Sequence, residues 1–498
     1  MTVPLEYFND EVTMGVSRGT LRHLKYSRFC IVRLPVGYGK TLVAVLTAVG
    51  IAKQHNNVVQ IGVIAPKAKR LDKSFTDALA SASEYFGVTF KTLLINNEEV
   101  GTFAGLSREL GGTNGIDKDE LASMPAEKIR NLRRKAIRNK AKAIAQEPTV
   151  FILDETHMTL RDSTTVTSKS FTAMLNQVDR AGGFVKVIGL TATPFDKSIL
   201  DTIGYLVFNG NYNSRENFYT REVIDYKQMK RDKTQDEIES MLVNYKFKIN
   251  YSRFVDPQRI IDQARRIIYN PRAPKNFHIP ENKIHLVKVP LDETAKAELK
   301  KLRKLEKADL FASATEKRNA FITTMTVNDA MQAMVRRIIK SDQVKQPLFF
   351  YQFNTQRDAL TEIMQTEGVP YAEVNGLSHS YFNEETDETM PVIVQYGSGA
   401  TAFEAKTSNT SIYYGLPDSS INFDQSLGRN ARRGQAMDVI HNYILEPIDA
   451  SGKPVAQFKR QYQRIVDKVT QNGVFLKLFE TQWGQFENAP KRLQKQSK

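Results

Sequence analysis

The stretch that decides the fold is FCIVRLPVGYGKTLVAVLTAVGIAK, residues 29–53. It begins with a short apolar, β-branched run over 29–34, passes through a glycine-rich turn and continues as an apolar segment over 41–53. A short apolar run bounded by turn residues predicts a buried strand, and the longer segment predicts a helix. A strand, a glycine-rich turn and a helix in this order are typical of a phosphate-binding loop.

The turn itself, LPVGYGKT at residues 34–41, carries the residue types that bind nucleotide phosphates. Glycine has no Cβ, so backbone N–H groups beside it can approach a phosphate closely. Lys40 would neutralise the β- and γ-phosphates, and Thr41 would ligate Mg²⁺ through its hydroxyl group. Leu34 replaces the first glycine of the G-x-x-x-x-G-K-[ST] pattern, so an ordinary glycine-rich turn is the alternative. The predicted nucleotide-binding residues of the turn are Gly37, Tyr38, Gly39, Lys40 and Thr41.

Strand and helix patterns alternate on the carboxyl side of this turn. Apolar runs over 59–65, 150–153 and 185–190 predict three more buried strands, and helical segments such as 71–86 lie between them. This alternation predicts a doubly wound α/β lobe with a parallel sheet over residues 1–210.

The run FILDETH, residues 151–157, places Asp154 and Glu155 at the carboxyl end of a predicted strand. Ligands of open α/β sheets bind at that end. Asp154 can hold Mg²⁺ through water, and Glu155 can polarise a water that attacks a phosphate. An acidic pair here also commonly caps a helix, but combined with the phosphate-binding turn it predicts nucleotide hydrolysis. His157, taken alone, is an ordinary loop histidine.

The segment GLTATPF, residues 189–195, follows the next predicted strand. Hydroxyl groups of Thr191 and Thr193 could relay between the hydrolytic water and a neighbouring surface. An ordinary transition from strand to loop before Pro194 explains the segment equally well.

A second alternating region begins near Ile284 and predicts a second α/β lobe over 281–480. Residues 211–280 are charged, helical in places and poor in strand signals, so we interpret them as a helical linker or insertion. Within the first lobe, 105–147 is a basic helical insertion, and 481–498 is a basic tail. The strand candidates of the second lobe start at Ile284 and cover 348–353, 391–399, 411–416 and 439–445.

The segment QSLGRNARRGQ, residues 425–435, is the strongest signal in the second lobe. Arg429 and Arg432 are three residues apart, which predicts that they share one helical face and point at one partner. Paired guanidinium groups can stabilise the charge of a transferred γ-phosphate. The alternative is a solvated basic helix that contacts nucleic-acid phosphates.

Composition and charge indicate the chemical class of the binding partner. The 498 residues include 70 Lys and Arg against 55 Asp and Glu, which gives a formal charge of +15 and indicates a polyanion. The longest apolar run, residues 41–52, is shorter than the roughly 20 residues of a membrane span, and the N-terminal segment lacks an apolar signal region. Cys30 is the single cysteine, which excludes an internal disulfide. We therefore expect a reducing, cytoplasmic compartment and nucleic acid as the polyanion.

The basic insertion contains EKIRNLRRKAIRNKAKAI, residues 127–144. Its apolar residues recur at helical spacing, so one face can pack while the remainder stays charged. Arg133, Arg134 and Arg138 are therefore candidates for contacts with nucleic-acid phosphates. A solvated helix is an equally good explanation.

Taken in order, LPVGYGKT, IAPK, DETH, TAT and QxxGRxxRxGQ resemble the motor core of superfamily 2 helicases and translocases from about residue 25 to 450. The stretches 279–302 and 411–435 are similar to the Swi/Snf-type branch, and the compact length is similar to phage helicases. The resemblance implies two RecA-like lobes, ATP and Mg²⁺ as cofactors, contacts from Pro66 and Lys67 to the nucleic-acid backbone, and Gln425 near the γ-phosphate.

The function that this resemblance implies is an ATP-dependent DNA helicase or duplex translocase in phage-type replication or recombination, located in the host cytoplasm. DNA is favoured over RNA as the partner, and a monomer is compatible with the motif set. Two alternatives stay open: an RNA helicase, and a nucleotide-gated nucleic-acid-binding subunit of a larger complex.

Overall fold

A computed structural model describes residues 8, 10–35, 37–66, 73–195, 199–243, 250–271, 279–376, 389–399, 405, 407–432, 435–478 and 480–481. The described residues form two compact units. One lies within Met1–Phe277 and Thr470–Lys498, and the other lies within His278–Val469.

The described part of the first unit contains an eight-stranded sheet whose pairings are parallel. Its path is β14-β7-β1-β6-β5-β2-β3, and β4 pairs with β2 beside this path. The strands are β1 (Phe29–Arg33), β2 (Val58–Ile64), β3 (Thr89–Thr92), β4 (Val100–Gly101), β5 (Thr149–Asp154), β6 (Val185–Thr191), β7 (Ile268–Pro271) and β14 (Glu480–Thr481).

Helices cover both faces of this sheet. The helices of the first unit are α1 (Glu11–Tyr26), α2 (Lys40–Gln54), α3 (Ser74–Phe86), α4 (Phe103–Gly111), α5 (Lys118–Ser123), α6 (Ala126–Ile144), α7 (Val166–Arg180), α8 (Thr202–Asn209), α9 (Arg215–Glu222), α10 (Tyr226–Asp232), α11 (Gln235–Leu242) and α12 (Pro257–Ile267). Helices α1 to α3 pack on one face, and α4 and α6 to α12 pack on the other.

Strand β5 shows why these strands are recognisable as continuous apolar runs. Phe151 and Leu153 belong to one core cluster, whereas Val150 and Ile152 belong to the cluster on the opposite face. Since both faces are buried, apolar side chains occupy every position instead of every second one. The strands predicted over 29–34, 59–65, 150–153 and 185–190 are thereby confirmed.

The segment 211–280 differs from the expected linker. Its described parts 211–243 and 250–267 contain helices α9 to α12, and Phe218, Tyr219 and Ile260 bury their side chains in the core of the first unit. Strand β7 then pairs with β1, with Ile31 opposite Ile268. The described residues of 211–271 therefore belong to the first unit, because their aromatic and aliphatic side chains complete its core.

The second unit holds a six-stranded parallel sheet among its described residues, in the order β10-β11-β9-β12-β13-β8. Its strands are β8 (Glu281–Pro290), β9 (Leu348–Tyr351), β10 (Ala372–Val374), β11 (Val392–Gln395), β12 (Thr410–Tyr413) and β13 (Val439–Ile448). Its helices are α13 (Glu293–Lys307), α14 (Ala314–Thr326), α15 (Asp329–Ile339), α16 (Asn354–Thr366), α17 (Tyr396–Gly399) and α18 (Ser420–Leu427), and α19 (Ala456–Leu478) continues into the first unit.

Two parallel-sheet α/β units confirm the predicted fold class of two RecA-like lobes. Among the residues described above, no helix combines the length and the apolar character that crossing a membrane requires.

Candidate nucleotide-binding site

The phosphate-binding turn joins β1 to α2. Gly37 and Gly39 have φ angles of 87° and 74°, in the left-handed region that glycine adopts without strain. A Cβ built at Gly39 would meet no heavy atom within 4 Å, so the backbone faces open space there. Gly39 is also the N-cap of α2 and has no side chain to occupy the first N–H groups of the helix. This end of the helix is therefore suited to an anion.

The remaining residues of the turn lie around this cradle. Lys40 is the first residue of α2, and Thr41 follows it, partly exposed. Tyr38 packs its ring against the core, and this partial burial raises the pKa of its hydroxyl group. Arg33, at the end of β1, donates from Nε to the carbonyl oxygen of Ala192 at 3.1 Å. The turn is thereby tied to the end of β6. Val36 lies outside the described residues.

Asp154 is the last residue of β5 and Glu155 follows it, and both are only 4% exposed. Glu155 has a φ of 50°, a left-handed conformation that costs a non-glycine residue about 1–3 kcal/mol. It is the N-cap of a 3₁₀ turn over Thr156–Met158, but its side chain makes no capping hydrogen bond. For Glu155 the structure therefore does not support the capping alternative, and its carboxylate instead faces the side chain of His157.

His157 joins the acidic pair to the segment GLTATPF, residues 189–195, which we call the threonine segment. Its Nδ1 atom lies 2.9 Å from Thr191 Oγ1 and 3.3 Å from Glu155 Oε2. Thr191 Oγ1 also accepts a hydrogen bond from the backbone N–H of Thr193, at 3.0 Å. Sequence analysis treated His157 as an ordinary loop histidine, and its place two residues after Glu155 in the DETH box is the signal that could have singled it out. His157 is buried.

Strand order explains why these motifs meet. Strand β6 lies between β1 and β5, with Thr191 opposite Arg33 and Leu190 opposite Asp154. The N–H of Leu34 donates to the carbonyl oxygen of Thr191 at 3.2 Å. The phosphate-binding turn, the acidic pair and the threonine segment therefore lie side by side at the carboxyl edge of one sheet, where α/β proteins bind their ligands.

Two close fits hold the DETH box in place. A Cβ at Gly189 would lie 2.7 Å from Thr156 Oγ1, so only glycine leaves room for Thr156. Thr156 Oγ1 donates to the carbonyl oxygen of Leu153 at 2.9 Å. Farther along, a Cβ at Gly204 of α8 would lie 2.0 Å from the carbonyl oxygen of Arg161, which shows how closely α8 approaches the segment after the box.

Tyr205 is a residue that the sequence did not single out. It is fully buried, and its hydroxyl group donates to the carbonyl oxygen of Pro194 at 2.9 Å. Burial raises the pKa of this hydroxyl group, and the nearby Asp201 and Glu155 carboxylates act in the same direction, so it stays a proton donor. Tyr205 thus attaches the end of the threonine segment to α8.

In the second unit, the prediction that Arg429 and Arg432 share a helical face is wrong. Helix α18 ends at Leu427, and its C-cap is Gly428. Both arginines follow in the turn and are buried, at 2% and 7% exposure. Each donates from Nε to a carbonyl oxygen four residues earlier, Arg429 to Gln425 at 3.2 Å and Arg432 to Gly428 at 2.8 Å.

Gln425 lies inside α18 and is buried. Its Nε2 atom has no hydrogen-bond partner among the residues that the structure describes. A buried amide donor without a partner is costly, which marks this side chain as one that can donate a hydrogen bond to a ligand.

The predicted nucleic-acid contacts are less uniform. Pro66 follows β2 and is half-buried, whereas Lys67 lies outside the described residues. On α6, Arg134 and Arg138 are exposed, but Arg133 is half-buried, and its Nε atom is buried without a hydrogen-bond partner in the described part.

Residues 18–202 match the family model of the DEAD/DEAH box helicases. The match runs from α1 to the start of α8 and includes the phosphate-binding turn, the acidic pair and the threonine segment. A search of curated proteins finds no match. Together with the geometry of the sheet edge, the match shows that the first unit contains a DEAD/DEAH box helicase domain, the domain of superfamily 2 helicases.

Proposed function

We propose that this protein is an ATP-dependent DNA helicase or double-stranded DNA translocase that couples ATP hydrolysis to movement along nucleic acid. One observation supports this most: the phosphate-binding turn, the acidic pair and the threonine segment converge on three adjacent strands at one sheet edge. A nucleotide hydrolase needs these three elements together. The helicase family model matches the same residues, which supports coupling of ATP hydrolysis to movement along nucleic acid.

The residues at this edge fit ATP with Mg²⁺. The open space above Gly39 leaves room for phosphate oxygens, and the N-terminus of α2 favours negative charge. Thr41 and Asp154 carry the oxygen donors that Mg²⁺ prefers. When bound between them and the phosphates, Mg²⁺ would neutralise charge on the β- and γ-phosphates.

Each side chain then has a distinct task in this proposal. Lys40 neutralises the phosphates, and Glu155 orients the attacking water and accepts its proton. His157 Nδ1 lies 3.3 Å from Glu155 Oε2 and is proposed to position this carboxylate. From the second unit, Gln425, Arg429 and Arg432 are proposed to stabilise the transferred phosphoryl group.

Coupling to nucleic acid is assigned to Thr191 and Thr193. His157 Nδ1 contacts Thr191, and Thr193 leads to Pro194, which Tyr205 holds against α8. A shift of Glu155 during hydrolysis would therefore move this segment as well. Five residues are proposed to contact the nucleic-acid backbone: Pro66, Lys67, Arg133, Arg134 and Arg138. Arg133 has the weakest support of these, because it is half-buried.

The formal charge of +15 supports a nucleic-acid partner. DNA as that partner, action as a monomer, a cytoplasmic location and a role in phage-type replication or recombination are parts of the same proposal, and they rest on the motif resemblance.

ATP turnover with single-stranded DNA, duplex DNA and RNA, each at matched nucleotide concentration, tests the proposal. We expect DNA to stimulate the wild-type protein more than RNA does, Lys40→Ala to abolish turnover, and Glu155→Gln to abolish turnover while ATP binding persists. Stimulation by RNA alone would indicate an RNA helicase. Negligible turnover with every nucleic acid, and no effect of Glu155→Gln, would indicate a nucleotide-gated binding subunit instead.

A further inference from the structure

We propose that the exposed face of α6 binds the sugar–phosphate backbone of a nucleic-acid duplex through a row of three lysines. The lysine row consists of Lys128, Lys135 and Lys142. This inference rests on the proposed function and adds to it the form of the nucleic acid and the residues that hold it.

The packing of α6 fixes which side faces outward. Ile137, Ala141 and Ile144 are buried in the core of the first unit, and they lie on one side of the helix. All three residues of the lysine row are exposed and lie on the opposite side. The orientation of the row is therefore set by the core and not by the mobility of a loop.

The spacing of the row makes it nearly straight. Its members recur every seven residues, which places them about 10.5 Å apart and about 21 Å from end to end at 1.5 Å per residue. Seven residues fall only about 20° short of two full turns. A straight, rigid row of cations suits a partner that is itself stiff over that length, as a duplex is.

The charges on this face have few ion-pair partners in the part of the chain that the structure describes. Lys140 is neutralised by Glu109, at 2.7 Å, and also donates to the carbonyl oxygen of Leu94. By contrast, the exposed cations of α6 form no ion pair with the residues that the structure describes. These exposed cations are Lys128, Arg130, Arg134, Lys135, Arg138 and Lys142.

In helix α13 of the second unit, part of the positive charge is paired within the helix. This helix is also rich in lysine, but Lys296 pairs with Glu293 at 2.7 Å, and Lys301 pairs with Glu298 at 3.0 Å. Such pairs three residues apart are the usual way to stabilise a solvated charged helix. The exposed cations of α6 have no such pair among the described residues, so a polyanion bound along this face would offset their mutual repulsion.

The chemistry of the face favours backbone contacts over base contacts. Helix α6 contains no aromatic residue, whereas single-strand binding relies on aromatic rings that stack on bases. Asn131 and Asn139 add amide donors beside the lysines, and amides and lysines commonly contact phosphates. An open groove of about 430 Å³ along the first half of the helix has room for a phosphodiester group. It is lined by Pro125, Glu127, Lys128, Asn131, Leu132 and Lys135.

The salt dependence of duplex binding tests this proposal. The triple variant Lys128→Gln, Lys135→Gln, Lys142→Gln is titrated with a fluorescent DNA duplex at several salt concentrations, beside the wild-type protein. Each lost phosphate contact reduces the magnitude of the negative slope of log K against log salt by about 0.9 for duplex DNA. We therefore expect the magnitude of this slope to fall by up to about 2.7, and the slope for a single-stranded oligothymidylate to stay the same.

A matched control removes the same charge from α13. Lys300, Lys304 and Lys307 are exposed lysines of that helix, and their triple change to Gln should leave the duplex slope unchanged. Thermal unfolding verifies that both triple variants fold. Three results would each contradict the proposed role of the lysine row. They are an unchanged slope in the α6 variant, an equal change of slope in the α13 control, and an equal change of slope with single-stranded DNA. A wild-type protein that binds no nucleic acid would instead overturn the proposed function.

Discussion

His157 Nδ1 lies 2.9 Å from Thr191 Oγ1, so a hydrogen bond connects the DETH box to the last residue of β6 across 34 positions of sequence. The same nitrogen lies 3.3 Å from Glu155 Oε2. One ring atom therefore contacts both the proposed catalytic carboxylate and the proposed coupling residue. A displacement of Glu155 can therefore reach Thr191, or the reverse, through the side chain of His157 alone.

We expect His157→Phe to lower kcat for ATP by about 10- to 100-fold, because misplacing a catalytic group by about 1 Å can cost about 100-fold. KM for ATP should stay within about twofold, since the contacts of His157 described above are with Glu155 and Thr191. His157→Asn places an amide nitrogen near the position of Nδ1 and should recover part of kcat. Steady-state ATPase assays give both parameters.

The control for this prediction is Met158→Ala, because Met158 is the next residue and is 56% exposed. It should retain wild-type kinetics. A His157→Phe variant that raises KM and leaves kcat unchanged would show that this histidine acts in binding rather than in positioning.

Gly189→Ala should destabilise the first unit by about 1–3 kcal/mol, the usual cost of overpacking. The new Cβ would lie 2.7 Å from Thr156 Oγ1 and 3.0 Å from Phe29 Cε2. Thr156→Ala removes the nearest clashing atom, so the double variant should lose less stability than the sum of the single variants. Urea unfolding measures all three.

Gly397→Ala serves as the control, because a Cβ there would meet nothing within 4 Å. It should leave the unfolding midpoint in place. Strict additivity of Gly189→Ala and Thr156→Ala would mean that the two residues do not constrain each other.

Tyr205→Phe should cost about 1–3 kcal/mol, because the buried carbonyl oxygen of Pro194 loses its donor. The change should also reduce stimulation of ATP turnover by nucleic acid, since the threonine segment loses its attachment to α8. Urea unfolding and the ratio of stimulated to basal turnover provide the two readouts. Tyr85→Phe is the matched control, because Tyr85 is 40% exposed. Normal stimulation in a destabilised Tyr205→Phe protein would limit this residue to a structural role.

The stability of the first unit should fall as the pH drops below 6.5. Burial lowers the pKa of His23 from 6.5, although its hydrogen bond to the carbonyl oxygen of Arg266 opposes the shift. The unfolded chain therefore takes up a proton at a pH where the folded chain resists it. The stabilisation is complete above 6.5 and is lost as the pH falls towards the lower pKa of the folded state.

Urea midpoints at pH 7.5 and 5.5 check this dependence. His23→Asn removes the titrating ring and keeps an amide near the position of Nδ1, so the difference between the two midpoints should shrink. His55→Asn, at a partly exposed histidine, should keep the wild-type difference. A difference that is the same in His23→Asn and in the wild-type protein would assign the pH effect to other groups.

Local sequence predicted the elements whose character is set locally. Strand β5 is apolar at consecutive positions because both of its faces are buried, and the glycines of the phosphate-binding turn adopt the positive φ angles that only glycine tolerates well. These features need no knowledge of the remainder of the chain. The fold class and the family followed from them.

What local sequence did not predict depends on distant pairing. Strand β7 is only Ile268–Pro271, too short to produce a pattern, and its partner β1 lies more than two hundred residues earlier. The contact of His157 with Thr191 exists only because β5 and β6 are neighbours. For Arg429 and Arg432, regular spacing indicated a helix, but Gly428 had already ended it.

Strand β14 has a consequence for synthesis. Glu480 and Thr481 pair with Asn270 and Pro271, so the outer edge of the first sheet is completed by residues made after the whole second unit. At about 5–20 residues per second, a ribosome needs roughly 10 to 40 seconds to travel from β7 to β14. During that interval the nascent chain presents β7 without this neighbour, and an uncovered strand invites association with other chains. Chaperone capture of the nascent protein should therefore concentrate on ribosomes that have passed β7 and have not yet released β14.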